Sequence, residues 1–459
     1  MNQTDLMLLV ALFVLLCALV LVFRQLKALT VRLNLAYSTP FGRWTLLMVA
    51  GLIAVLGSGG LVAHFDLASV CLSWPFCLPD RVFPLSPLQW VNMAHRFLVL
   101  LIGVAWLFYW QRAFTIYREK TPIVVPATIV LVLYLSQAML GKQLVDGFLP
   151  YLVGLHQVTF LGIWIAAIVL AIGVGRAGLF LEDEVRRMQS NRWQWSALKD
   201  FLLLTKPIVV ALLLVTTYAG MVVGGQRFPS LALTFWTLLG GFLAAGGAGA
   251  VNQYLDREDD RKMQRTQKRP IPAGRLTAAQ GLAFGVGISL LSFYLLVAKV
   301  NLLAAILSLV GFFYYVVVYS LWLKKATPQN IVIGGGAGAI PPLVGWAAAT
   351  GSLQLPALFL FVLIFMWTPP HFWALALVRR NDYARAGVPM LPVVRGEEET
   401  RRQIFVYTVE LVGLTLLLPL FGLGGVFTLI GSSLLGLWLL SAAWKVWKKE
   451  GNKGAWKMY

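Results

Sequence analysis

Residues 252–275 concentrate charged side chains within an otherwise apolar chain. They include three Asp, one Glu, one Asn and seven Lys or Arg, whereas 59% of the whole sequence is hydrophobic. Asn252, Asp256 and Asp260 recur at every fourth position, so they share one face of a helix. Carboxylate and amide oxygens suit Mg²⁺, a hard ion that shares its coordination with substrate phosphates. This face, followed by a group of cations, predicts a site for a metal-bridged diphosphate.

The cations and the remaining acids of the same segment divide into two groups. Lys268, Arg269 and Arg275 follow the acidic face and are predicted to neutralise diphosphate oxygens, with Arg able to bind them in bidentate fashion. Glu258 and Asp259 fall off that face and are interpreted as ordinary solvated charges. A charged loop is the commoner explanation of such a segment, but the regular spacing at the end of an apolar run favours a functional one.

Histidines suggest a second kind of site, nearer the N-terminus. His95 opens the third apolar run of the chain and His156 opens the fifth. A His inside a membrane helix is costly unless it is paired or liganded, and axial His ligation is a common way of holding haem. The two imidazoles could therefore bind one haem iron, or each could hydrogen-bond to a neighbouring helix. The residues alone leave both interpretations open.

A second polar loop, RRNDYARAGVPMLPVVRG, follows the apolar segment WTPPHFWALAL. Asp382 could hold a second Mg²⁺, and Arg385 could contact the diphosphate. His371 follows a Pro-Pro pair, where it either contacts haem or satisfies a break in the helix. Tyr319 and Lys324 lie at the end of another apolar run, and Lys324 could equally be an ordinary basic residue of a cytoplasmic loop.

The elements that must position these residues are membrane helices. Apolar runs of about 18 or more residues recur along the 459-residue chain, and each could cross a bilayer as a helix. Backbone groups in lipid need internal partners, so we expect an all-α polytopic membrane protein. We predict about thirteen transmembrane helices, at residues 5–23, 44–63, 92–111, 123–141, 152–175, 207–225, 231–251, 279–298, 302–322, 329–349, 355–377, 404–424 and 426–444.

The distribution of positive charge predicts the orientation of these helices. The net charge of +19 might suggest a nucleic-acid partner, but basic residues gather in the cytoplasmic loops of membrane proteins. With the N-terminus outside, all 38 Lys and Arg residues fall on the inner side except Arg81, Arg96, Lys142, Arg227 and Lys299. We therefore expect an inner (plasma) membrane protein that binds no nucleic acid, with residues 252–275 and the C-terminus in the cytoplasm.

The longest polar break, at residues 176–206, predicts a boundary between two domains, 1–195 and 196–459. Five predicted helices fall in the first domain and eight in the second. Cys71 and Cys77 lie together in a loop that the orientation places outside, where a disulfide can persist. Two unpaired thiols are the alternative.

Residues 41–176 resemble one half of a haem A synthase, in the segments GSGGLVAHFDLASVCLSWPFC, NMAHRFLVLLIG and GLHQVTFLGIW. The resemblance implies a four-helix bundle, here with one extra helix before it. It further implies His95 and His156 as ligands of a haem iron, and a disulfide between Cys71 and Cys77. The family typically has Glu at the position of Asn92. Because only one half is present, a complete site would need self-association or a haem A synthase partner.

Residues 198–459 resemble the protohaem IX farnesyltransferase, or haem O synthase, family of UbiA-type intramembrane prenyltransferases. The matching segments are LTKPIVVALLLVTTYAGM, NQYLDREDDRKMQRTQKRPIPAGR, YSLWLKKATPQNIVIGGGAGAIPPLVGWAA and WTPPHFWALAL. The resemblance implies Mg²⁺-dependent transfer of a farnesyl group from farnesyl diphosphate to a vinyl group of haem B, giving haem O. Such enzymes have nine spans, so the eight predicted here imply a UbiA-type bundle that lacks its last helix.

The same resemblance assigns roles to individual residues. Asn252, Asp256 and Asp260 would form the first Mg²⁺-diphosphate motif. Asp382 would belong to the second motif, in which Ala386 stands where the wider superfamily has another Asp. Lys206, in the segment LTKPIVV, is a further expected substrate contact.

Other functions compete with haem O synthesis. A non-catalytic haem-binding membrane cytochrome or haem carrier would explain the histidines but not the Asp- and Arg-rich segment. A transporter would suit thirteen spans, yet intramembrane charges are sparse and the sequence shows no clear repeat. A quinone-type prenyltransferase is the enzymatic alternative. In the favoured hypothesis, haem O synthesis, the N-terminal domain binds haem and links haem O to haem A formation.

Overall fold

The chain is described by a computed structural model over residues 37, 39–80, 82–147, 149–177, 196–448 and 453–458. It divides into two compact units, Met1–Trp193 and Gln194–Tyr459. Within the described ranges, eleven helices are long and apolar enough to cross a membrane. This confirms the prediction of an all-α, multi-pass membrane protein.

Two of the thirteen predicted spans need comment. The first, at 5–23, lies outside the described residues. The span predicted at 404–424 was wrong in its bounds, because the helix there runs from Gly396 to Leu416. Its first turn carries three consecutive Glu residues, and it is not among the eleven span candidates. The apolar run alone did not reveal that the helix starts in a charged segment.

The described residues of the first unit form four long helices, and each of them begins at or next to a proline, whose fixed φ suits the first turn. Ser86 caps the second helix by accepting a hydrogen bond from Gln89 N, and the Gln89 side chain completes a capping box. The third and fourth helices pack along each other, and the first packs on the second. The helices are α1 (Pro40–His64), α2 (Pro87–Ile116), α3 (Thr121–Asp146) and α4 (Pro150–Ala177), with a 3-10 turn at Leu67–Val70.

The second unit contains the remaining helices. They are α5 (Ser196–Leu204), α6 (Pro207–Gly225), α7 (Leu231–Leu255), α8 (Arg257–Lys262), α9 (Ala278–Lys299), α10 (Leu302–Phe313), a π-helix (Tyr314–Leu323), α11 (Lys324–Ala326), α12 (Asn330–Gly334), α13 (Gly336–Thr350), α14 (Leu355–Val378), α15 (Arg380–Arg385), α16 (Leu391–Val394), α17 (Gly396–Leu416), a 3-10 turn (Leu418–Phe421), α18 (Val426–Lys448) and α19 (Lys453–Met458). The principal helix pairs are α7 with α9, α6 with α13, and α17 with α18.

Small residues bring the helices of the second unit close together. A Cβ added at Gly247 of α7 would lie 2.7 Å from the carbonyl oxygen of Gly285 in α9. A Cβ at Gly345 of α13 would strike the backbone of Thr217 in α6. Close approach through small residues is a usual way for membrane helices to associate without a hydrophobic driving force. These contacts pack α6 against α13 and α7 against α9, while Lys206 precedes α6 and Asn252 lies near the end of α7.

The turn between α5 and α6 is held against α7. The Gln253 side chain donates to the carbonyl of Leu204 at 3.0 Å. Lys206 then adopts a left-handed backbone conformation, with φ of 55°, and Pro207 starts α6. This conformation costs a non-glycine residue about 1–3 kcal/mol and persists where the surroundings enforce it. The turn therefore holds Lys206 in a defined place beside the end of α7.

Candidate active site

The charged end of α7 lies at a short break in the helix. α7 ends at Leu255, Asp256 stands between the helices, and α8 begins at Arg257. The backbone still follows a helical path, because Asp256 N donates to Asn252 O at 2.9 Å and Asp260 N donates to Asp256 O at 2.8 Å. The three residues thus keep the shared face that their spacing predicted, and all three are buried.

Asn252 is the centre of a polar network. Its amide oxygen accepts a hydrogen bond of 2.6 Å from Lys206 Nζ. Its Nδ2 donates to Asp256 Oδ2 at 2.8 Å and to Ser320 Oγ at 3.1 Å. Lys206 Nζ also donates to the Tyr315 hydroxyl at 3.2 Å. The side chain of Asn252 is therefore fixed from both ends, and its oxygen faces a cation.

Asp256 and Asp260 each have a cationic partner of their own. Lys324 Nζ lies 2.6 Å from Asp256 Oδ2, and the two side chains are only 11% and 8% exposed. Arg269 Nη1 lies 2.7 Å from Asp260 Oδ2. Buried charges require such compensation, since an isolated charge in an apolar interior is very costly. The structure thus brings Lys206, Lys324 and Arg269 onto the acidic face.

Burial changes the acid–base behaviour of the lysine at this site. Desolvation of the Lys206 ammonium, with Arg269 nearby, lowers the pKa of Lys206 to about 8. The carboxylates of Asp256 and Asp260 act in the opposite direction and favour the charged form. The ammonium therefore remains mostly protonated at neutral pH.

The interpretation of Asp259 as a solvated charge was wrong. Asp259 is buried, and its Oδ2 lies 2.7 Å from Lys325 Nζ. Its position off the Asn252 face did not place it in water, because the short helix α8 presents more than one face to the protein. Glu258, in contrast, is exposed and pairs with Arg261 at 2.7 Å.

Two of the predicted diphosphate cations are placed differently from Arg269. Arg275 Nε lies 2.9 Å from Asp200 Oδ1, and its Nη2 donates to the carbonyl of Lys268 at 3.2 Å. Arg275 thereby links the loop after α8 to α5. Lys268 is exposed. Their roles as diphosphate contacts stay predictions.

The second predicted motif lies in α15. Asp382 is buried and pairs with Arg385, which is half-exposed. No three His, Cys, Asp or Glu side chains gather as metal ligands in the described ranges. Asp382 therefore does not join Asp256 and Asp260 in one cluster, and its own metal site stays a prediction.

Tyr319 and His371 contact aromatic neighbours. Tyr319 stacks on Tyr315, with ring centroids 5.6 Å apart, and a Cβ at Gly334 would strike its ring. The His371 ring stacks on Trp367 at 4.3 Å. Both residues stay candidate contacts for a flat, apolar acceptor.

The donor atoms of this face suit a magnesium ion whose coordination is completed by oxygens of a substrate. Asn252, Asp256 and Asp260 offer only hard oxygen donors, at consecutive turns and away from bulk water. The two carboxylates are too few for an all-protein metal cage. They match the usual arrangement for Mg²⁺, in which one or two carboxylates are joined by substrate phosphates.

Two residues of the network were missed by sequence reasoning. Ser320 and Tyr315 lie in the π-helix, where Ser320 Oγ donates to the carbonyl of Tyr315 at 2.8 Å. Wide π-helical turns recur at functional sites, but their register has no simple sequence signature. The aromatic run YYVVVYSLWL resembles an ordinary membrane helix.

The two predicted haem ligands, His95 and His156, lie in the first unit. The Ser58 hydroxyl donates to the carbonyl of Val55 at 2.9 Å, and the same oxygen lies 2.8 Å from His95 Nδ1. With the hydroxyl proton donated to Val55, His95 Nδ1 is the donor of that bond, and in the neutral ring Nε2 is then the acceptor nitrogen. His156 Nδ1 is buried and has no hydrogen-bond partner in the described part of the chain. Neutral imidazoles in this state are suited to metal ligation.

The loop beside His95 is closed by a disulfide. Cys71 and Cys77 are bonded, with an S–S distance of 2.00 Å. Arg96 Nη1 donates to the carbonyls of Ser73, Pro75 and Phe76 within this loop, the shortest bond being 2.6 Å. Asn92 Nδ2 donates to the carbonyl of Leu67 at 2.8 Å. Asn92 thus fixes the chain just before the disulfide, and Arg96 fixes the loop that the disulfide closes.

Comparison with protein families places a UbiA prenyltransferase family match at residues 213–459. A protein named protoheme IX farnesyltransferase from Roseiflexus sp. (strain RS-1) is 52% identical over 264 residues, covering 58% of this chain and 49% of that protein. A protein of the same name from Gloeobacter violaceus is 52% identical over 258 residues, covering 56% of this chain and 85% of that protein. The chain spans about half the length of the Roseiflexus relatives it matches.

A third similar protein, also named protoheme IX farnesyltransferase, comes from Chloroflexus aurantiacus. It is 46% identical over 319 residues, covering 69% of this chain and 54% of that protein. This match is longer than the second unit, so it extends into the first. Among solved structures, a UbiA homolog from Archaeoglobus fulgidus bound to DMAPP and Mg²⁺ aligns with a TM-score of 0.47 and 18% identity, covering 55% of this chain and 90% of that one.

Proposed function

The chain belongs to the UbiA prenyltransferase family, and we propose that it transfers a farnesyl group from farnesyl diphosphate to a vinyl group of haem B, giving haem O. The observation that carries this proposal is the buried face of Asn252, Asp256 and Asp260, lined by three cations. The relatives named protoheme IX farnesyltransferase support haem as the acceptor. The aromatic surfaces of Tyr319, Trp367 and His371 suit a flat macrocycle.

The proposed reaction requires the site to stabilise the diphosphate as a leaving group. As the bond between the farnesyl carbon and the diphosphate oxygen breaks, negative charge accumulates on the diphosphate. Mg²⁺ bound with Asn252, Asp256 and Asp260 would supply Lewis-acid stabilisation of that charge. Lys206, Lys324 and Arg269 are preorganised donors for the same oxygens.

The acceptor then completes the reaction. The farnesyl cation bonds to one vinyl carbon of haem B, and water adds as hydroxyl to the other carbon with loss of a proton. The products are haem O and diphosphate, and no covalent intermediate with the protein is needed. The apolar helices shield the cation from early capture by water.

The first unit supports a second, linked function. We propose that His95 and His156 bind haem, and that this unit receives haem O for later oxidation. Nε2 of His95, the acceptor nitrogen of its neutral ring, and the buried Nδ1 of His156, which has no partner among the described residues, favour metal ligation over ordinary helix packing. Because the unit has one histidine pair, a complete oxidising site would require self-association or a haem A synthase partner. We further propose an inner-membrane location with the N-terminus outside and the diphosphate site in the cytoplasm.

The test is mass spectrometry of haems after membranes containing the protein are incubated with haem B, farnesyl diphosphate and Mg²⁺. We expect haem O from the wild type and a fall of at least about 100-fold in Asp256→Asn, because preorganised charge stabilisation is commonly worth that much. Asp259→Asn is the matched control, since it removes another buried carboxylate with a lysine partner. It should keep most of the transfer activity.

Active membranes that yield no haem O would reject the acceptor. Prenylation of an added quinone precursor would then favour the quinone-type alternative. Equal loss of activity in Asp256→Asn and Asp259→Asn would reject the special role of the Asn252 face. Haem binding without any prenyl transfer would favour a haem carrier.

A further inference from the structure

The candidate diphosphate site carries more positive than negative charge. Lys206, Lys324 and Arg269 contact the face formed by Asn252, Asp256 and Asp260. Three cations thus oppose two carboxylates, and Asn252 is neutral. The two carboxylates and Lys324 are buried, so salt and water screen their charges poorly, whereas Lys206 and Arg269 are half-buried. A bare divalent cation that approaches this cluster meets net repulsion.

The same contacts engage one oxygen of each of the three groups that a metal would use. Lys324 Nζ is 2.6 Å from Asp256 Oδ2, Arg269 Nη1 is 2.7 Å from Asp260 Oδ2, and Lys206 Nζ is 2.6 Å from Asn252 Oδ1. Mg²⁺ binds oxygen at about 2.0–2.1 Å. A metal on either carboxylate would therefore lie within a few ångströms of a cation.

We propose, on the basis of the function proposed above, that the empty site rejects a bare divalent cation and accepts it only together with a diphosphate. Lys324 is the resident counter-ion that enforces this coupling. A diphosphate carries several negative charges and reverses the balance of the cluster. Its oxygens also give Lys324 a new partner, which frees Asp256 for the metal. By linkage, the metal and the prenyl diphosphate each raise the affinity for the other.

The neighbouring lysine provides a matched control. Lys325 pairs with Asp259 at 2.7 Å, a contact almost as short as that between Lys324 and Asp256. Its side chain is 62% exposed, however, and its carboxylate partner lies outside the Asn252 face. The two lysines therefore make contacts of similar length, and they differ in their exposure and in the carboxylate that each contacts.

The experiment is titration of the purified full-length protein with Mn²⁺ alone, measured by the electron paramagnetic resonance signal of free Mn²⁺. Removing one nearby positive charge should strengthen metal binding, so we expect Lys324→Met to bind Mn²⁺ at least about tenfold more tightly than the wild type. Lys325→Met should match the wild type. Arg269→Gln should change in the same direction as Lys324→Met but less, because Arg269 is more exposed. It tests the inference independently if Lys324→Met does not fold.

A second titration uses farnesyl thiodiphosphate, an analogue that is not readily transferred. It should remove most of the difference between Lys324→Met and the wild type, because the analogue takes over as the partner of Lys324. Tight binding of Mn²⁺ alone to the wild type, or equal effects of Lys324→Met and Lys325→Met, would overturn the proposal. The readout does not depend on the acceptor. If haem O were absent while the Mn²⁺ pattern held, the acceptor would be rejected and this coupling retained.

Discussion

The two units keep polar groups inside apolar helices in opposite ways. In the second unit the polar groups are charged, and each buried carboxylate of the Asn252 face has a cation within 2.7 Å. In the first unit they are imidazoles, one held by the Ser58 hydroxyl and the other with a buried nitrogen that has no hydrogen-bond partner in the described ranges. Carboxylates that are already paired with cations suit a ligand that can replace both members of the ion pair, such as a metal diphosphate. Imidazole nitrogens that carry no proton suit direct ligation of a metal centre.

The difference also concerns what each site can do without its ligand. Asp256 and Asp260 are paired with cations of the protein itself, so ligand binding must replace contacts that already exist. Nδ1 of His156 has no hydrogen-bond partner within the part of the chain that the structure describes, and burial of an unpaired polar atom costs about 1–3 kcal/mol. We therefore expect the first unit to gain stability when its ligand binds.

The largest expected effect is loss of haem binding in the first unit without loss of farnesyl transfer in the second. His156→Ala should abolish the optical signal of bound haem, because the variant loses an axial ligand, while transfer of farnesyl to added haem B continues in the second unit. The measurement is an absorbance spectrum of purified protein alongside the haem O assay. His64→Ala is the control, since His64 is exposed at the end of α1.

Two results would contradict this separation between the haem site and the transfer site. An unchanged haem spectrum in His156→Ala would remove the histidine pair as a ligand set. Loss of haem O synthesis in the same variant would show that the two sites act as one.

An intermediate effect tests the network around Asn252. Ser320→Ala removes the hydroxyl that accepts from Asn252 Nδ2 at 3.1 Å. One hydrogen bond contributes about 1 kcal/mol, and misplacement of the Asn252 oxygen adds to that loss, so we expect transfer to fall about tenfold. Ser292→Ala is the control, because it removes a buried hydroxyl that donates to Gly240 at a distance from the Asn252 face. Equal rates for Ser320→Ala and the wild type would show that Asn252 needs no such support.

The sequence predicted much of this site because its signals are local. The spacing of Asn252, Asp256 and Asp260 survives in the structure, since one helical path continues through the break at Asp256. The apolar runs located most of the described spans. Lys206 was recognised only through resemblance, because its contact with Asn252 joins residues far apart in the chain.

What the sequence missed depends on tertiary contacts or on unusual backbone. Ser320 joins the network through a π-helical turn that side-chain periodicity does not reveal. Asp259 was taken for a solvated charge because the helical-wheel argument considers a single helix, whereas Lys325 approaches from another element. The start of α17 was misplaced because its charged first turn does not resemble a membrane segment.

The smallest expected effect distinguishes two arginines that the sequence grouped together. Arg275→Gln should change the KM for farnesyl diphosphate less than about twofold, because Arg275 is paired with Asp200 and contacts none of the three residues of the Asn252 face in the described structure. Arg269→Gln should raise that KM more strongly, since Arg269 contacts the buried Asp260. Steady-state kinetics with varied farnesyl diphosphate measures both. A larger rise for Arg275→Gln than for Arg269→Gln would mean that Arg275 leaves Asp200 to bind the diphosphate, so that the cationic side of the site extends to the loop after α8.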